Sequence, residues 1–397
     1  MRLKHHAHLA YCTNVHPGKD WEQTFRSLQE DVLSVRRNLC PNDEYAIGLR
    51  LSASAAQELS RPATLANFKG WLEKENCYVF TINGFPYGDF HGQPVKERAY
   101  SPDWTTPERL AYTQQLFDIL VQLVPQGVAG SVSTVPGSFK PFIQSDEQIQ
   151  AINQNLYRLF EHIEKLSEKN DVDLHLGLEP EPLCLFETTP ETLRFFDRLL
   201  DGQAQADRIR QRIGVNYDTC HLALQYESAP ESLACYQANG IRLSKIHLSS
   251  ALKVRDFSPA TLDQLQTYCE PTYLHQVIAA PRPQKTAPQT QRKYLDLPEA
   301  LAARRNGQDT ADEWRIHFHI PLHAQPASPL LSTADHLLDT LDYVAANPAL
   351  CQHFEMETYT WAVMPQQLHT PTVVEQITAE YRWLLPQLET RSLLPSS

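Results

Sequence analysis

The chain has 397 residues, 42% hydrophobic and 21% charged, with a formal net charge of −12. A chain this long can bury a large core without covalent staples. Its acidic balance disfavours a phosphate backbone as a partner, so no nucleic acid is expected. The eight cysteines are scattered with no CxxC pair, which excludes a zinc ribbon or thioredoxin motif and suits free thiols in a reducing compartment. The opening stretch MRLKHHAHLAYCTNVHPG has basic groups but no apolar signal-peptide core, and no run reaches membrane-span length. A cytoplasmic protein, not embedded in a membrane, is expected.

Short apolar runs recur along the chain, each followed by a helix-like amphipathic stretch. In order they are HLAYCTN near 8, YAIGLRLS near 45, CYVFTING near 77, GVAGSVST near 127, DLHLGLE near 173, RIGVNYD near 212, LSKIHLSS near 243 and HFEMETY near 353. Between them, DEQIQAINQNLYRLFEHIEKLSEK places Ile149, Ile152, Leu156, Leu159, Phe160, Ile163 and Leu166 on one helix face. Strand–helix alternation argues a parallel sheet. Eight units at roughly 30–50-residue spacing argue an α/β fold of the (β/α)8 TIM-barrel type, one domain over 1–397. An open doubly wound sheet would also alternate, but no GxGxxG follows the first strand and no Walker motif is present.

The last interval is longer than the rest. It predicts an insertion between strands seven and eight, about 252–350, lying over the C-terminal mouth where barrel active sites sit. TYLHQVIAA and WRIHFHIPLHAQ read as two extra strands, a hairpin across that mouth. The Pro-, Gln- and charge-rich stretch between them, 280–313, reads in part as a mobile loop.

Polar residues stand where the apolar runs end. In the fifth run His175, Gly177 and Glu179 share a face, and Pro180 should end the strand, leaving Glu179 at the rim and Glu181 beyond it. In the sixth, Asn216 and Asp218 share a face. His247 closes the seventh, and Glu355 and Glu357 share a face of the eighth, one layer apart. Unpaired carboxylates are costly to bury in a barrel mouth, and a divalent cation removes that cost. Three oxygens and one imidazole suit Mn²⁺, Mg²⁺, Co²⁺ or Zn²⁺. On this reading Asp218 binds the metal, and His221 reaches a second metal or the substrate. Each residue also has a plainer role. Asp218 can cap the next helix, His221 and His247 can be satisfied core histidines, Glu179 can pair with an arginine, and Glu355 can be a buried ion-paired acid.

Weaker signals surround these. Asn14 and His16 follow the first strand and Asn83 the third, with Tyr87 and His91 in its loop; they orient a substrate or simply shape turns. His317 and His319 alternate on one face, with His323 close behind, as further ligands or as an exposed hairpin face. Trp361 covers part of a ligand or packs the last loop. His5, His6 and His8 read as structural.

GVNYDTCH, LEP in the fifth run, the seventh-run histidine and the terminal ET resemble the xylose isomerase-like barrel superfamily. That superfamily includes sugar isomerases, ketose 3-epimerases and the endonuclease IV type of repair enzyme. The resemblance implies metal ligands at Glu179, Asp218, His247 and Glu357. It implies that His221 contacts substrate or a second metal, and His317-Phe-His319 has the spacing of the endonucleases' Asp-x-His pair, with His for Asp. Across nearly the whole chain, LAYCTNVHPG, INGFPYGDFHG, LGLEPEPLC, YDTCHLALQYE, KIHLSSAL, HFHIPLH and FEMETYTWAVMP look like the EboE group. That group is associated with metabolite-traffic operons that include a prenyltransferase-like membrane protein. It implies a small-molecule metabolite destined for export and a membrane-protein partner, but no reaction.

Three functions follow as expectations. One is a metal-dependent isomerase or epimerase of a sugar- or polyol-type metabolite, with Glu179, Glu357 and His221 as catalytic residues. The others are a hydrolase with two or three zinc ions and a metabolite carrier without turnover.

Overall fold

A computed structural model describes residues 1–92, 94–281, 291–366 and 368–395. The eight apolar runs are the strands of one parallel barrel. They are β1 (His8–Tyr11), β2 (Tyr45–Arg50), β3 (Cys77–Asn83), β4 (Gly130–Thr134), β5 (Leu174–Leu178), β6 (Ile213–Asp218), β7 (Leu243–Leu248) and, after the insertion, β13 (His353–Met356). Neighbours run β1-β13-β7-β6-β5-β4-β3-β2, and a parallel bridge from Cys12 to Gly48 joins the two ends. Every residue of these strands is buried, because helices cover the outside while the barrel fills its own interior. Alternation decides which residue goes where. In β6, Tyr217 faces the helices, its hydroxyl 2.9 Å from His336 Nε2, whereas Asn216 and Asp218 face inward toward His247.

The helix predicted after β4 runs Asp146–Asn170 and starts from a capping box between Ser145 and Gln148. Ile152, Leu156, Leu159, Phe160 and Ile163 are its buried face. Toward the barrel floor, His8 Nδ1 meets the Tyr78 hydroxyl at 2.8 Å and His353 Nδ1 meets Ser131 Oγ at 2.8 Å.

The insertion differs from the expectation. Instead of one hairpin there is a five-stranded antiparallel sheet in the order β10-β9-β11-β8-β12. Its strands are β8 (Ala251–Val254), β9 (Val277–Ala280), β10 (Arg292–Tyr294), β11 (Glu313–His319) and β12 (Leu330–Ser332). The two predicted strands, β9 and β11, do pair antiparallel. What the reading missed is β8, which starts so soon after β7 that the two read as one apolar run. Part of the predicted 280–313 loop is also regular. Arg292–Tyr294 is a strand, and Leu297–Arg305 is a helix capped by Asp296 with a proline in its first turn. Residues 282–290 of that stretch lie outside the described residues. The sheet has its own apolar cluster around Trp314, Ile316, Phe318, Val277 and Leu301. After Ser332 the chain returns to the barrel, where Leu337, Leu341 and Val344 of the helix Ala334–Ala346 join the main core.

The final helix, Val373–Thr390, buries Glu380. Its carboxylate accepts from Thr358 Oγ1 at 2.8 Å, Leu322 N at 3.3 Å and Gln376 Nε2 at 3.0 Å. Burial raises this acid to about 7, against the pull of those donors. A folded-state value above the unfolded one gives stability that is complete below about pH 4.5 and lost as pH rises through about 7. Converted by linkage, the loss is about 3 kcal/mol. Glu380→Gln should therefore gain on the wild type between pH 4.5 and 8 by up to about that amount. Urea unfolding at both ends of the range checks this, and a pH-independent difference between the two proteins would rule it out. Among the described residues no helix is long and apolar enough to cross a membrane.

Candidate metal centre

Four strand ends converge inside the mouth. Pro180 has no N–H to continue β5, so Glu179 stands just past the strand, its own N–H donating to Thr134 O at 3.0 Å. Asp218 ends β6, His247 points inward from β7, and Glu357 follows β13 with its N–H on Leu248 O at 3.1 Å. His247 Nδ1 lies 2.9 Å from Glu179 Oε1, 3.1 Å from Glu357 Oε2 and 3.6 Å from Asp218 Oδ2. One potential ligand atom from each of the four residues lies within 4.8 Å of all the others, and all four residues are buried.

Asp218 performs the capping role left open by the sequence and keeps one carboxylate oxygen outside it. Its Oδ1 caps the helix Thr219–Leu224, accepting from Cys220 N at 2.7 Å and His221 N at 3.0 Å, and also from Ser249 Oγ at 2.6 Å. Its Oδ2 is buried, has no hydrogen-bond partner, and faces His247. Burial raises this carboxyl, but the His221 and His247 imidazoles outweigh it and hold Asp218 well below the usual carboxylate range. Glu357 is fixed by two amides: its Oε1 accepts from Asn14 Nδ2 at 2.7 Å and Asn83 Nδ2 at 3.3 Å. Burial lowers His247, but the Glu357 and Glu179 charges outweigh it and hold the imidazole well above its ordinary value. Three carboxylates thus share one imidazole in a buried space. The donor set fits a divalent cation, whose charge would relieve that crowding.

Of the two acids on β13, Glu355 points one layer deeper. Its Oε2 accepts from Lys245 Nζ at 2.6 Å and from His247 Nε2 at 2.9 Å. Burial raises it, but Lys245 and then His247 prevail and hold it down at about 2. This is the ion-paired alternative, and Lys245 is the partner that the sequence reading missed.

A second group of imidazoles stands beside the first. His221, His317 and His319 are buried, with His221 Nε2 3.1 Å from His317 Nε2. Their other nitrogens fix the tautomers. His221 Nδ1 meets Pro180 O at 3.1 Å, and His319 Nδ1 meets Glu357 O at 3.0 Å. His317 Nδ1 meets Gln276 Oε1 at 2.7 Å, in a chain where Gln276 Nε2 donates to the Tyr100 hydroxyl, which donates to Glu181. A carbonyl oxygen can only accept, so each Nδ1 carries a proton and each Nε2 is the nitrogen left for other partners. His221 Nε2 and His317 Nε2 share a hydrogen bond, and His319 Nε2 is buried without a partner. Burial pulls His221 and His317 below their ordinary value. Asp218, His221 and His319 form another group able to hold a cation. Gln276, Tyr100 and Glu181 come from distant segments, and the sequence carries no periodic signal for them.

His16 is a correction. The turn Thr13–Val15 directs it away from the mouth, with Nε2 2.8 Å from the Tyr11 hydroxyl and Nδ1 3.3 Å from Asp31. Trp361 packs on His369 in the last loop. His91 holds the Asn14 carbonyl at 2.6 Å and the Tyr273 hydroxyl at 2.9 Å, so it shapes the loop rather than the floor of the site.

Glu179 and Glu357 line a cavity of about 50 Å³ together with Phe85, Phe90, Tyr100, Tyr273 and Tyr359. Two loops close it. Val95 N and Lys96 N from the loop after β3 donate to Thr272 O of the insertion, and Lys96 Nζ pairs with Asp296 at 2.5 Å.

No protein-family model matches the chain, and no curated protein matches it. Solved structures do. One is an L-ribulose 3-epimerase, 11% identical, with 98% of this chain and 96% of that one covered at a TM-score of 0.49. A second is a xylose isomerase domain protein from Alicyclobacillus acidocaldarius subsp. acidocaldarius, 10% identical, covering 96% and 98% at 0.49. A third is the IolI protein with a bound zinc atom, 13% identical, covering 96% and 98% at 0.45. With TM-scores below 0.5 and identities this low, these likenesses carry no argument about the chain.

Proposed function

We propose that the chain is a metal-dependent isomerase or epimerase acting on a small sugar- or polyol-type metabolite, of the EboE type. The observation that supports this best is the pair Glu179 and Glu357, which face each other across His247 and line one largely apolar cavity. Glu179, Asp218, His247 and Glu357 would hold Mn²⁺, Mg²⁺, Co²⁺ or Zn²⁺. When bound, the cation supplies Lewis-acid polarisation of neighbouring substrate oxygens. Either glutamate would take a proton from the substrate carbon next to its carbonyl, and the other would return one to that carbon or to the carbonyl carbon. Asn14 and Asn83 hold Glu357 in line for that transfer. His221 presents Nε2 to a substrate oxygen, its ring held by Pro180 O. The apolar lining keeps water from quenching the carbanion-like state. A 50 Å³ cavity has room for about three or four waters, so the substrate is small or the loops open to admit it. A cytoplasmic setting, a small-molecule partner and a membrane-protein partner in the same pathway belong to this proposal.

A second reading has a specific observation behind it. His221 and His319 stand with Asp218 as possible ligands for a second cation, and paired cations favour hydrolysis. A non-catalytic carrier is the third reading. Elemental analysis of protein purified without chelator or affinity tag, followed by sugars, polyols and keto acids offered in D₂O, separates them. About one metal per chain and deuterium entering at a substrate carbon is the expected result. Two or more zinc ions without exchange would move the assignment to hydrolysis. A ligand that binds equally well after metal removal, and never exchanges, would leave a carrier.

A further inference from the structure

We infer that Lys245 and Glu355 are positioning residues for the metal centre, a buried ion pair that decides which nitrogen of His247 faces the cation. The inference rests on the proposed metal site and deepens it. Lys245 and Glu355 side chains are 0% exposed, with Nζ 2.6 Å from Oε2. A buried pair of this kind is rarely kept for stability, since apolar residues of similar volume often do as well or better. Its neighbours indicate another use. The same Glu355 Oε2 lies 2.9 Å from His247 Nε2, on adjacent strands that place Glu355 directly opposite His247. An ionised carboxylate only accepts, so Nε2 carries a proton and donates it. That turns the other nitrogen, Nδ1, toward Glu179, Asp218 and Glu357. Lys245 donates to the same oxygen and balances its charge, so the carboxylate stays an acceptor.

The barrel makes room for this carboxylate at some cost to itself. A Cβ at Gly48 of β2 would lie 2.0 Å from Glu355 Oε1 and 2.6 Å from Tyr11 O. Glycine weakens a strand, and here it opens the space the acid occupies. A carboxylate behind a ligating histidine fixes the ring and raises its basicity, and losing such a partner costs about 10–100-fold in metal affinity.

The test is the double variant Lys245→Met/Glu355→Leu, with Glu355→Gln as a milder companion that keeps the packing. Co²⁺ affinity is read by competition with a chelator, and stability by thermal unfolding of the metal-free proteins. In ¹⁵N-histidine-labelled, Zn²⁺-loaded wild type, His247 should show a protonated Nε2 and a metal-bound Nδ1. The double variant should lose about 10–100-fold in Co²⁺ affinity and that ring signature, while its metal-free midpoint stays near that of the wild type. Glu355→Gln should lose roughly tenfold. Co²⁺ binding as tight as wild type in either variant would overturn the inference. A wild type that binds no Co²⁺ would instead overturn the metal reading beneath it, and the two failures are told apart by the wild-type titration alone.

Discussion

Asp218→Asn is expected to lower divalent-cation affinity at least about a hundredfold while leaving the fold in place. The choice of asparagine follows from the two oxygens of Asp218. Oδ1 caps a helix and accepts from three donors, and an asparagine oxygen can take over all of that. Oδ2 has no partner and faces His247, and an amide NH₂ there offers a cation no lone pair. Asp218→Ala would strip the metal too, but it would also orphan the Cys220 and His221 N–H groups, at a cap cost of about 0.5–2 kcal/mol. The asparagine variant therefore separates ligation from folding. Co²⁺ or Mn²⁺ titration beside thermal unfolding gives both numbers. If Asp218→Asn keeps wild-type stoichiometry and affinity, the carboxylates are paired internally and the four-residue site is misassigned.

The barrel was readable from sequence because its strands are buried on both faces, so each appears as an unbroken apolar run. Period-two alternation then placed Asp218 and Asn216 on the inner face of β6, and the imide nitrogen of Pro180 marked where β5 stops and Glu179 begins. What alternation cannot supply is depth. Glu355 and Glu357 share a face, and only the position of Lys245, 110 residues away in sequence, shows that the first is ion-paired one layer deeper. The insertion hid its architecture for a different reason. β10 and β12 have three residues each, too few for a period to register, and β8 merges with β7 across two serines. His16 was misplaced because a strand end locates a residue near the mouth but does not fix the direction of the turn that follows.

Cation binding at this site should release close to one proton per chain at pH 7, with the apparent affinity rising about tenfold per pH unit until His247 deprotonates by itself. The argument starts from the metal-free cluster. Burial lowers His247, but the Glu357 and Glu179 charges prevail and hold it well above its ordinary value of 6.5. The metal-free imidazole is thus charged at neutral pH, and its Nδ1 proton sits where a cation would bind. Asp218, held well below the usual range, brings no proton to displace. For the metal-free protein the sign is fixed: a raised histidine contributes stability that is complete below about pH 6.5 and lost as pH rises through the folded value. For the loaded protein the sign reverses, because tighter binding at higher pH adds stability by mass action. Proton and cation therefore stabilise the same three carboxylates in turn, and the gap between metal-free and metal-loaded melting temperatures should widen with pH. Calorimetric titration of Co²⁺ in buffers of different ionisation heat counts the proton directly. A count near zero at pH 7 would mean that His247 is already neutral, and that the carboxylates around it do not carry the charge assigned to them here.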